Sequence, residues 1–292
     1  MTIKILVTGV SGLLGNAMAS AARACGHEVA GVSRSQLDVH KSRAIMDIVA
    51  HCRPNVVINC AGFTDVERAE DDVDRSFSAN ALLPALLAAG ARRQNASMVH
   101  FSSTGCFGNW TDRPYTDLDK LRPTTVYHRT KLEGDERVRA EMPGALIIRT
   151  GWLFGDSPRN ERNFVWCRLL EARNTERLFA DQNQKGNPTP ARDLANQTLE
   201  LIEQGITGTF NCVGRGSATR FEYVARIVEY SGLPCRVEVA PAGHFKRRAP
   251  VSHNEAASNT ALKLLNCDKM QDWRDALDSC VTSLMPLLTA LS

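Results

Sequence analysis

The feature that most constrains the fold of this chain is the segment VTGVSGLLGN at residues 7–16, which carries three regularly spaced glycines. Gly9, Gly12 and Gly15 stand between an apolar, strand-like run and a segment with helical patterning. In that context the glycines permit a tight turn and close approach to a pyrophosphate, while amides at the helix N-terminus bind phosphate. The segment predicts a dinucleotide-binding turn, with a glycine-rich turn lacking a ligand as the alternative. The predicted cofactor site also includes the first two residues of the helix, Leu13 and Leu14.

The first half of the chain alternates between strand-like and helix-like segments. The apolar runs lie at 3–8, 27–32, 55–61, 97–103 and 145–150, and the helix-like segments lie at 13–26, 42–52, 65–93 and 126–142. This alternation is typical of βαβ units, so it predicts an α/β fold with a doubly wound, Rossmann-like parallel sheet.

The alternation of strand-like and helix-like segments becomes less regular after about residue 155. Residues 156–162 and 181–190 are polar and contain prolines, and 241–260 is a basic, loop-like stretch. We therefore predict a cofactor domain with the catalytic residues at 1–155. Residues 156–292 are expected to form a smaller, discontinuous substrate region, part of which could return to the sheet.

Composition excludes several classes of protein. A net charge of +3 over 292 residues is too small to indicate binding of nucleic acid or an anionic membrane. The N-terminus lacks the apolar core of a signal peptide, and no run is long enough to span a bilayer. Nine scattered cysteines without a CxxC pair favour reduced thiols in the cytoplasm. The seven histidines lack metal-ligand spacing, so no metal site is predicted.

The end of the second predicted strand indicates the cofactor. An NAD site usually has an acidic residue there, whereas this chain has Ser33 and Arg34. A hydroxyl and a guanidinium suit a 2′-phosphate, so NADPH is favoured and NADH stays possible. A solvated surface arginine is the alternative. Asp38, followed by Val39, is expected either to bind the adenine or to cap the next helix.

Tyr127 and Lys131 share a helix face if 126–142 is helical, because they are four residues apart. Such a pair is often a surface pair, but here it follows a strand that ends in hydroxyls, including Ser103. Ligands bind at that end of an open α/β sheet. Carbonyl reduction needs a proton donor near neutral pH, and a phenol serves only if positive charge lowers its pKa. Lys131 and an oxidised nicotinamide would supply that charge.

The glycine loop, the NCAGFT segment after the third strand, the serine and the Tyr-x-x-x-Lys pair together resemble the extended short-chain dehydrogenase/reductases. Within that family, the similarity is to reductases of 4-keto-6-deoxy nucleotide-sugars. It covers nearly the whole chain, through segments at 53–70, 78–84, 98–109, 126–135, 146–155, 162–165, 181–195 and 272–277.

The resemblance implies a role for each matching residue. Ser103 would bind the keto oxygen, Tyr127 would be the general acid, and Lys131 would orient the cofactor ribose. Further cofactor positions are Cys60, Ala61, Gly62 and Asn80. The implied substrate positions are Thr104, Gly105, Trp152, Asn163, Gln182 and, for the diphosphate, Arg247 or Arg248. Trp152 could instead be a core residue, and the basic run at 246–248 could be a solvated loop.

The chain departs from the family where Thr-Asp-Tyr is usual, because it has Ser103-Thr104-Gly105. The lost acid and ring would line the sugar pocket, so the sugar is left open. Cys106 is expected to be a buried structural residue, with an acid/base role as the alternative. Three functions follow: a nucleotide-sugar reductase, an epimerase or epimerase-reductase of the same superfamily, and a catalytically silent cofactor-binding regulatory subunit. The expected partner is the nucleotide-sugar, and a homodimer is one assembly the resemblance allows.

Overall fold

The computed structural model describes residues 1–158 and 162–291. Residues 159–161 of the predicted polar stretch and the last residue of the predicted substrate region lie outside this part. The strands are β1 (Lys4–Thr8), β2 (Glu28–Val32), β3 (Val56–Asn59), β4 (Ser97–Ser103), β5 (Leu146–Thr150), β6 (Trp152–Phe154), β7 (Arg177–Ala180), β8 (Lys185–Gly186), β9 (Pro188–Pro190), β10 (Gly208–Asn211), β11 (Ala218–Thr219) and β12 (Arg236–Val239). The helices are α1 (Leu13–Ala24), α2 (Ser42–Cys52), α3 (Val66–Asp71), α4 (Val73–Phe77), α5 (Leu83–Arg93), α6 (Val126–Glu141), α7 (Phe164–Asn174), α8 (Ala191–Glu203), α9 (Arg220–Ser231), α10 (Thr260–Leu264) and α11 (Trp273–Thr289).

The central sheet is parallel and has the strand order β2-β1-β3-β4-β5-β10. Both faces are covered by helices, so the side chains of one strand alternate between two cores. In β1, Ile5 and Val7 pack toward α1 and α8, whereas Leu6 packs toward α2 and α5. The predicted doubly wound, Rossmann-like fold is confirmed.

The second half of the chain contributes to the sheet as well as to the substrate side. The strand β10 pairs in parallel with β5, and α8 packs in the same core as α1. The helices α7, α9 and α11 enclose a separate core around Tyr223 and Trp273. The mouth of the cleft described below therefore lies between this smaller unit and the sheet.

The long helical stretch predicted at 65–93 is broken in the structure. Asp65 caps α3 by accepting from the Arg68 amide at 3.0 Å, and Asp72 caps α4 by accepting from the Arg75 amide at 3.2 Å. A π-helical turn then spans Ser78–Leu82 before α5. The side chains of the two capping aspartates bond to backbone amides and so end one helix and begin the next. Hydrophobic periodicity does not reveal such side-chain bonds to the backbone.

Among the described residues, no helix is both long and apolar enough to cross a membrane. The same residues contain no group of three or more His, Cys, Asp or Glu side chains placed to hold a metal ion. The nine cysteines all lie in the described part of the chain, and none of them is in a disulfide bond.

Candidate active site

A cleft of about 760 Å³ opens at the carboxyl ends of the sheet strands. It collects side chains from both halves of the chain because parallel strands end on one side of the sheet. The predicted site residues that line it are Gly9, Gly12, Leu13, Leu14, Arg34, Cys60, Ala61, Gly62, Asn80, Ser103, Tyr127, Lys131, Trp152 and Arg247.

The glycine loop is shaped by close backbone contacts. Gly9 has a positive φ of 66°, and a Cβ there would lie 2.8 Å from the Ala61 nitrogen. A Cβ on Gly15 would lie 2.1 Å from the Gly9 carbonyl oxygen. Helix α1 begins directly after Gly12, so its first amides face the cleft and could hold the phosphates of a dinucleotide.

At the end of β2, Arg34 enters the cleft and Ser33 does not. The Arg34 guanidinium donates to the Gly62 carbonyl at 2.8 Å. Burial lowers the pKa of Arg34, and the nearby cations Arg162 and Arg75 lower it further. The Ser33 hydroxyl instead contacts Gln36 and Ser35 within a short 3-10 turn.

Asp38 and Val39 also lie outside the cleft. The Asp38 carboxylate accepts from the His40 amide at 3.0 Å and caps a 3-10 turn at Val39–Lys41. The capping alternative for Asp38 is therefore the one the structure displays. Val39 packs against the core formed by α2 and α5.

Helix α6 brings Tyr127 and Lys131 to the cleft. The helix begins after Thr125, whose hydroxyl accepts from the His128 amide at 3.1 Å and fixes the first turn. Lys131 is buried, and its Nζ donates to the Phe101 carbonyl of β4. Ser103, at the end of β4, faces the same space.

The charges around Tyr127 favour its protonated form. Burial raises the pKa of Tyr127, and the carboxylates of Glu255 and Asp135 raise it further. Burial lowers the pKa of Lys131, and Asp135 opposes that effect. The expected lowering of the tyrosine pKa by Lys131 is therefore not found in the protein alone. The phenol is neutral and can donate a proton.

Asn80 fixes the loop that follows β3. Its Oδ1 accepts from the Phe63 amide at 2.9 Å, and its Nδ2 donates to the Phe63 carbonyl and to the Thr130 hydroxyl, both at 3.1 Å. This places Ala61 and Gly62 along the cleft wall.

The substrate end of the cleft holds residues that sequence reasoning missed. Trp152 donates from Nε1 to Glu255 at 3.0 Å, and Arg220 stacks on the Trp152 ring. Arg220 and Arg247 both donate to the Gln184 side-chain oxygen at 3.4 Å. Burial lowers the pKa of Arg220 to about 10. Arg220 is the first residue of α9 and follows a capping threonine. The sequence gives no signal that separates it from a solvated arginine in the first turn of a helix.

Three predicted substrate residues lie outside the cleft. Arg248 forms an ion pair with Asp71 of α3 at 2.6 Å, which separates it from its neighbour Arg247. Gln182 is exposed in a turn, and the buried Gln184 contacts the arginines instead. Asn163 is fully buried and donates to the carbonyls of Gly155 and Ser157.

Thr104 and Gly105 are also buried outside the cleft lining. A Cβ on Gly105 would lie 2.1 Å from Nε2 of His128, so the histidine ring fills the room that a side chain at 105 would need. At position 105, where the chain departs from the family pattern, the His128 ring therefore occupies the space that a side chain would take. Cys106 is fully buried and donates to the His128 carbonyl at 3.4 Å. Burial raises the pKa of Cys106 to about 12, which favours a structural thiol over an acid/base.

The match to known proteins agrees with this geometry. A family model described as RmlD substrate binding domain matches residues 3–285. The chain belongs to this family. This RmlD-family chain is 31% identical over 292 residues to dTDP-4-dehydrorhamnose reductase of Mycolicibacterium smegmatis, with 99% of this chain and 88% of the relative covered.

Two solved structures superpose closely on this fold. The crystal structure of a dTDP-4-dehydrorhamnose reductase from Clostridium acetobutylicum matches with a TM-score of 0.91 at 31% identity, covering 96% of this chain and 99% of the other. The dTDP-4-dehydrorhamnose reductase of Bacillus anthracis, solved in complex with NADP, also has a TM-score of 0.91, with coverage of 97% and 99%. Its identity is 23%, so that likeness supports the fold alone.

Proposed function

We propose that this chain is an NADPH-dependent reductase of the keto group of a dTDP-4-keto-6-deoxy sugar such as dTDP-4-dehydrorhamnose. One observation carries the proposal: a single cleft joins a glycine loop, the trio Ser103, Tyr127 and Lys131, and an arginine-bearing substrate end. The named activities of the family relatives support the same reading.

The residues at the cofactor end fit a bound NADPH, which would supply the hydride. Gly9 and Gly15 leave a cradle that a Cβ would fill, and the first amides of α1 suit the pyrophosphate. Arg34 suits the 2′-phosphate because a guanidinium forms strong charge-assisted hydrogen bonds with phosphate oxygens.

Each residue of the trio Ser103, Tyr127 and Lys131 would have a separate role in the reduction of the keto group. Ser103 would hold that oxygen by a hydrogen bond, and Tyr127 would donate its proton to the oxygen as negative charge develops there. Lys131 would stabilise the phenolate that remains and orient the ribose. The raised pKa of Tyr127 keeps the proton on the phenol until reduction begins.

The substrate end suits a diphosphate. Arg162, Arg220 and Arg247 line the cleft together, and guanidinium groups match phosphate oxygens geometrically. The Trp152 ring beneath Arg220 fixes the position of its positive charge. A nucleotide diphosphate-sugar would place its anionic centre among these residues and its keto carbon toward Tyr127.

The two alternatives from the sequence lose support. An epimerase acid/base at Cys106 is disfavoured because the thiol is fully buried and absent from the cleft lining. A catalytically silent subunit has no chemical need to gather Ser103, Tyr127 and Lys131 in one cleft.

The test is consumption of NADPH after addition of dTDP-4-dehydrorhamnose, followed by the absorbance of the reduced nicotinamide. Turnover with the 4-keto sugar nucleotide and none with its 4-hydroxy counterpart would support the proposal. NADPH binding without turnover on any 4-keto nucleotide-sugar would contradict it. A cytoplasmic location, consistent with nine cysteines that are not in disulfide bonds, and a homodimer are further parts of the proposal, and light scattering tests the latter.

A further inference from the structure

A chain of buried polar side chains lies beneath the cleft and connects the strands to α6. Its members are at most 4% exposed: Thr8 on β1, Asn59 on β3, His100 and Ser102 on β4, and Asp135 on α6. Buried polar groups are costly unless they are paired, so a connected set of five calls for a physical explanation.

The hydrogen bonds fix the direction of this chain. Oδ1 of Asn59 accepts from the Thr8 hydroxyl at 2.7 Å and from the Ala61 amide at 3.2 Å. The other side-chain atom, Nδ2, therefore donates to Nδ1 of His100 at 3.1 Å. Burial lowers the pKa of His100, so the ring is neutral and carries its proton on Nε2. That nitrogen lies 3.6 Å from Oδ1 of Asp135 and points its proton at the carboxylate.

Asp135 sits on the catalytic face of α6. It follows Tyr127 by eight residues and Lys131 by four, so the three side chains lie on one face. Its Oδ2 accepts from the Ser102 hydroxyl at 2.7 Å. Its Oδ1 lies 3.6 Å from Nε2 of His100, beyond hydrogen-bond distance, and neither atom has a hydrogen-bond partner among the described residues.

The other charged and titratable groups around Asp135 come from several elements. They are Lys131, Tyr127 and Arg139 on α6, Arg149 on β5, Cys106 in the turn after β4, and His100 on β4. His100 is neutral, and Cys106 and Tyr127 hold their protons because burial raises their pKa values. The fully buried Asp135 is therefore the carboxylate that lies on the same face of α6 as Lys131, one helical turn away.

We propose that Asp135 is a positioning residue whose carboxylate, held by Ser102 and faced by His100, is the buried counter-charge that keeps Lys131 protonated beneath Tyr127. The role of Lys131 in this statement rests on the proposed function. Lys131 is only 6% exposed, so its ammonium group loses hydration, and the Phe101 carbonyl that accepts its hydrogen bond carries no charge to offset that loss. A nearby anion restores the charged form.

The ionisation of Asp135 is compatible with this role. Burial raises its pKa to about 6, while Lys131 and the Ser102 hydrogen bond oppose the rise. The carboxylate is therefore charged at neutral and alkaline pH. Below that pKa the counter-charge is lost.

The direct test is the titration of Lys131 by NMR of the protein labelled at the lysine ε-carbons, with Lys131→Met used to assign the signal. In Asp135→Asn, the Lys131 signal should titrate at a pH lower by about 1–3 units, the scale expected for an opposite charge nearby. The matched control is Glu133→Gln, on the same helix, where the acid is partly exposed and pairs with Arg137 at 2.7 Å. This control should leave the Lys131 titration unchanged.

An unchanged Lys131 titration in a folded Asp135→Asn protein would overturn the proposal. Should that variant fail to fold, the unsubstituted protein carries the same test. Its Lys131 signal should show a second inflection near pH 6, where Asp135 ionises, and the absence of that inflection would also overturn the proposal. Both measurements need no substrate, so they separate this inference from the proposed reductase activity.

Turnover provides a second readout. In Asp135→Asn, the alkaline fall of kcat should move to lower pH, because Lys131 and Tyr127 both lose their protons earlier without the carboxylate. KM for the nucleotide-sugar should stay within about twofold, since Asp135 does not line the cleft. A uniform loss of kcat with an unmoved pH profile would indicate a structural role only and would overturn the proposal.

Discussion

The guanidinium carbon of Arg220 lies 3.5 Å from the centroid of the Trp152 ring. The ring is itself held by the hydrogen bond from its Nε1 to Glu255. A guanidinium on an indole face gains cation–π energy, and the planar fork remains suited to phosphate. The pair therefore fixes a positive charge at the substrate end of the cleft.

Arg220→Ala should raise KM for the nucleotide-sugar by about 10–100-fold, the scale of a lost charged hydrogen bond, and leave NADPH affinity unchanged. The matched control is Arg274→Ala, because Arg274 stacks on Trp273 at 4.6 Å outside the cleft. Steady-state kinetics with varied nucleotide-sugar measures both. An equal KM in the two variants would remove Arg220 from the diphosphate site.

The neighbours Arg247 and Arg248 should behave differently. Arg247 lines the cleft, whereas Arg248 is paired with Asp71 on the surface. We expect Arg247→Ala to raise KM for the nucleotide-sugar by about 10-fold or more, and Arg248→Ala to change it less than about threefold. A larger rise in KM for Arg248→Ala than for Arg247→Ala in the same kinetic assay would show that the arrangement of this loop differs when substrate binds.

Arg34 should decide between the two nicotinamide cofactors. Arg34→Ala should weaken NADPH binding by about 1.5–3 kcal/mol and leave NADH binding nearly unchanged, because only NADPH carries the 2′-phosphate. Calorimetry measures both affinities. Arg43→Ala removes a highly exposed arginine on α2 and serves as the control. Equal affinity of the unsubstituted protein for the two cofactors would contradict the assignment.

The loop before α6 gives a pH-dependent prediction. Arg113 holds the pKa of Asp119 well below its usual range through two hydrogen bonds of 2.7 Å, and the Thr116 amide helps. A carboxyl group whose pKa is lower in the folded than in the unfolded protein stabilises the fold at pH values above its unfolded-state pKa. This stabilisation is lost as the pH falls through its folded-state pKa.

Asp119→Asn should therefore lower the free energy of unfolding by about 1.5–3 kcal/mol near neutral pH. The difference from the unsubstituted protein should shrink below about pH 4. Urea denaturation at several pH values measures it, with exposed Asp112→Asn in the same loop as the control. A difference that does not depend on pH would point to lost packing instead.

Local patterns predicted much of the fold. The bounds of β4 and α2 agree with those predicted, at 97–103 and 42–52, because each segment has a clear apolar period between turn residues. The break in 65–93 was not predicted, since it depends on capping by Asp65 and Asp72 rather than on periodicity.

The residues of the site likewise include some that local sequence patterns predicted and others that they did not. Gly9, directly after β1, and Tyr127 and Lys131, near the start of α6, lie in the cleft as their motifs implied. Arg220 and Gln184 were missed because their contacts join segments far apart in the sequence. The stacking of Arg220, at the start of α9, on the Trp152 ring brings it to the cleft, and the buried Gln184 contacts it there.

The most direct test of the central claim is transfer of label from NADPH deuterated at the reactive nicotinamide carbon. Mass spectrometry of the reduced nucleotide-sugar should find one deuterium on the former keto carbon. Tyr127→Phe should slow the appearance of that product by about 10²–10⁴-fold while NADPH still binds, and exposed Tyr230→Phe should not slow it. A product formed without deuterium, or at an equal rate in the Tyr127 variant, would contradict the account.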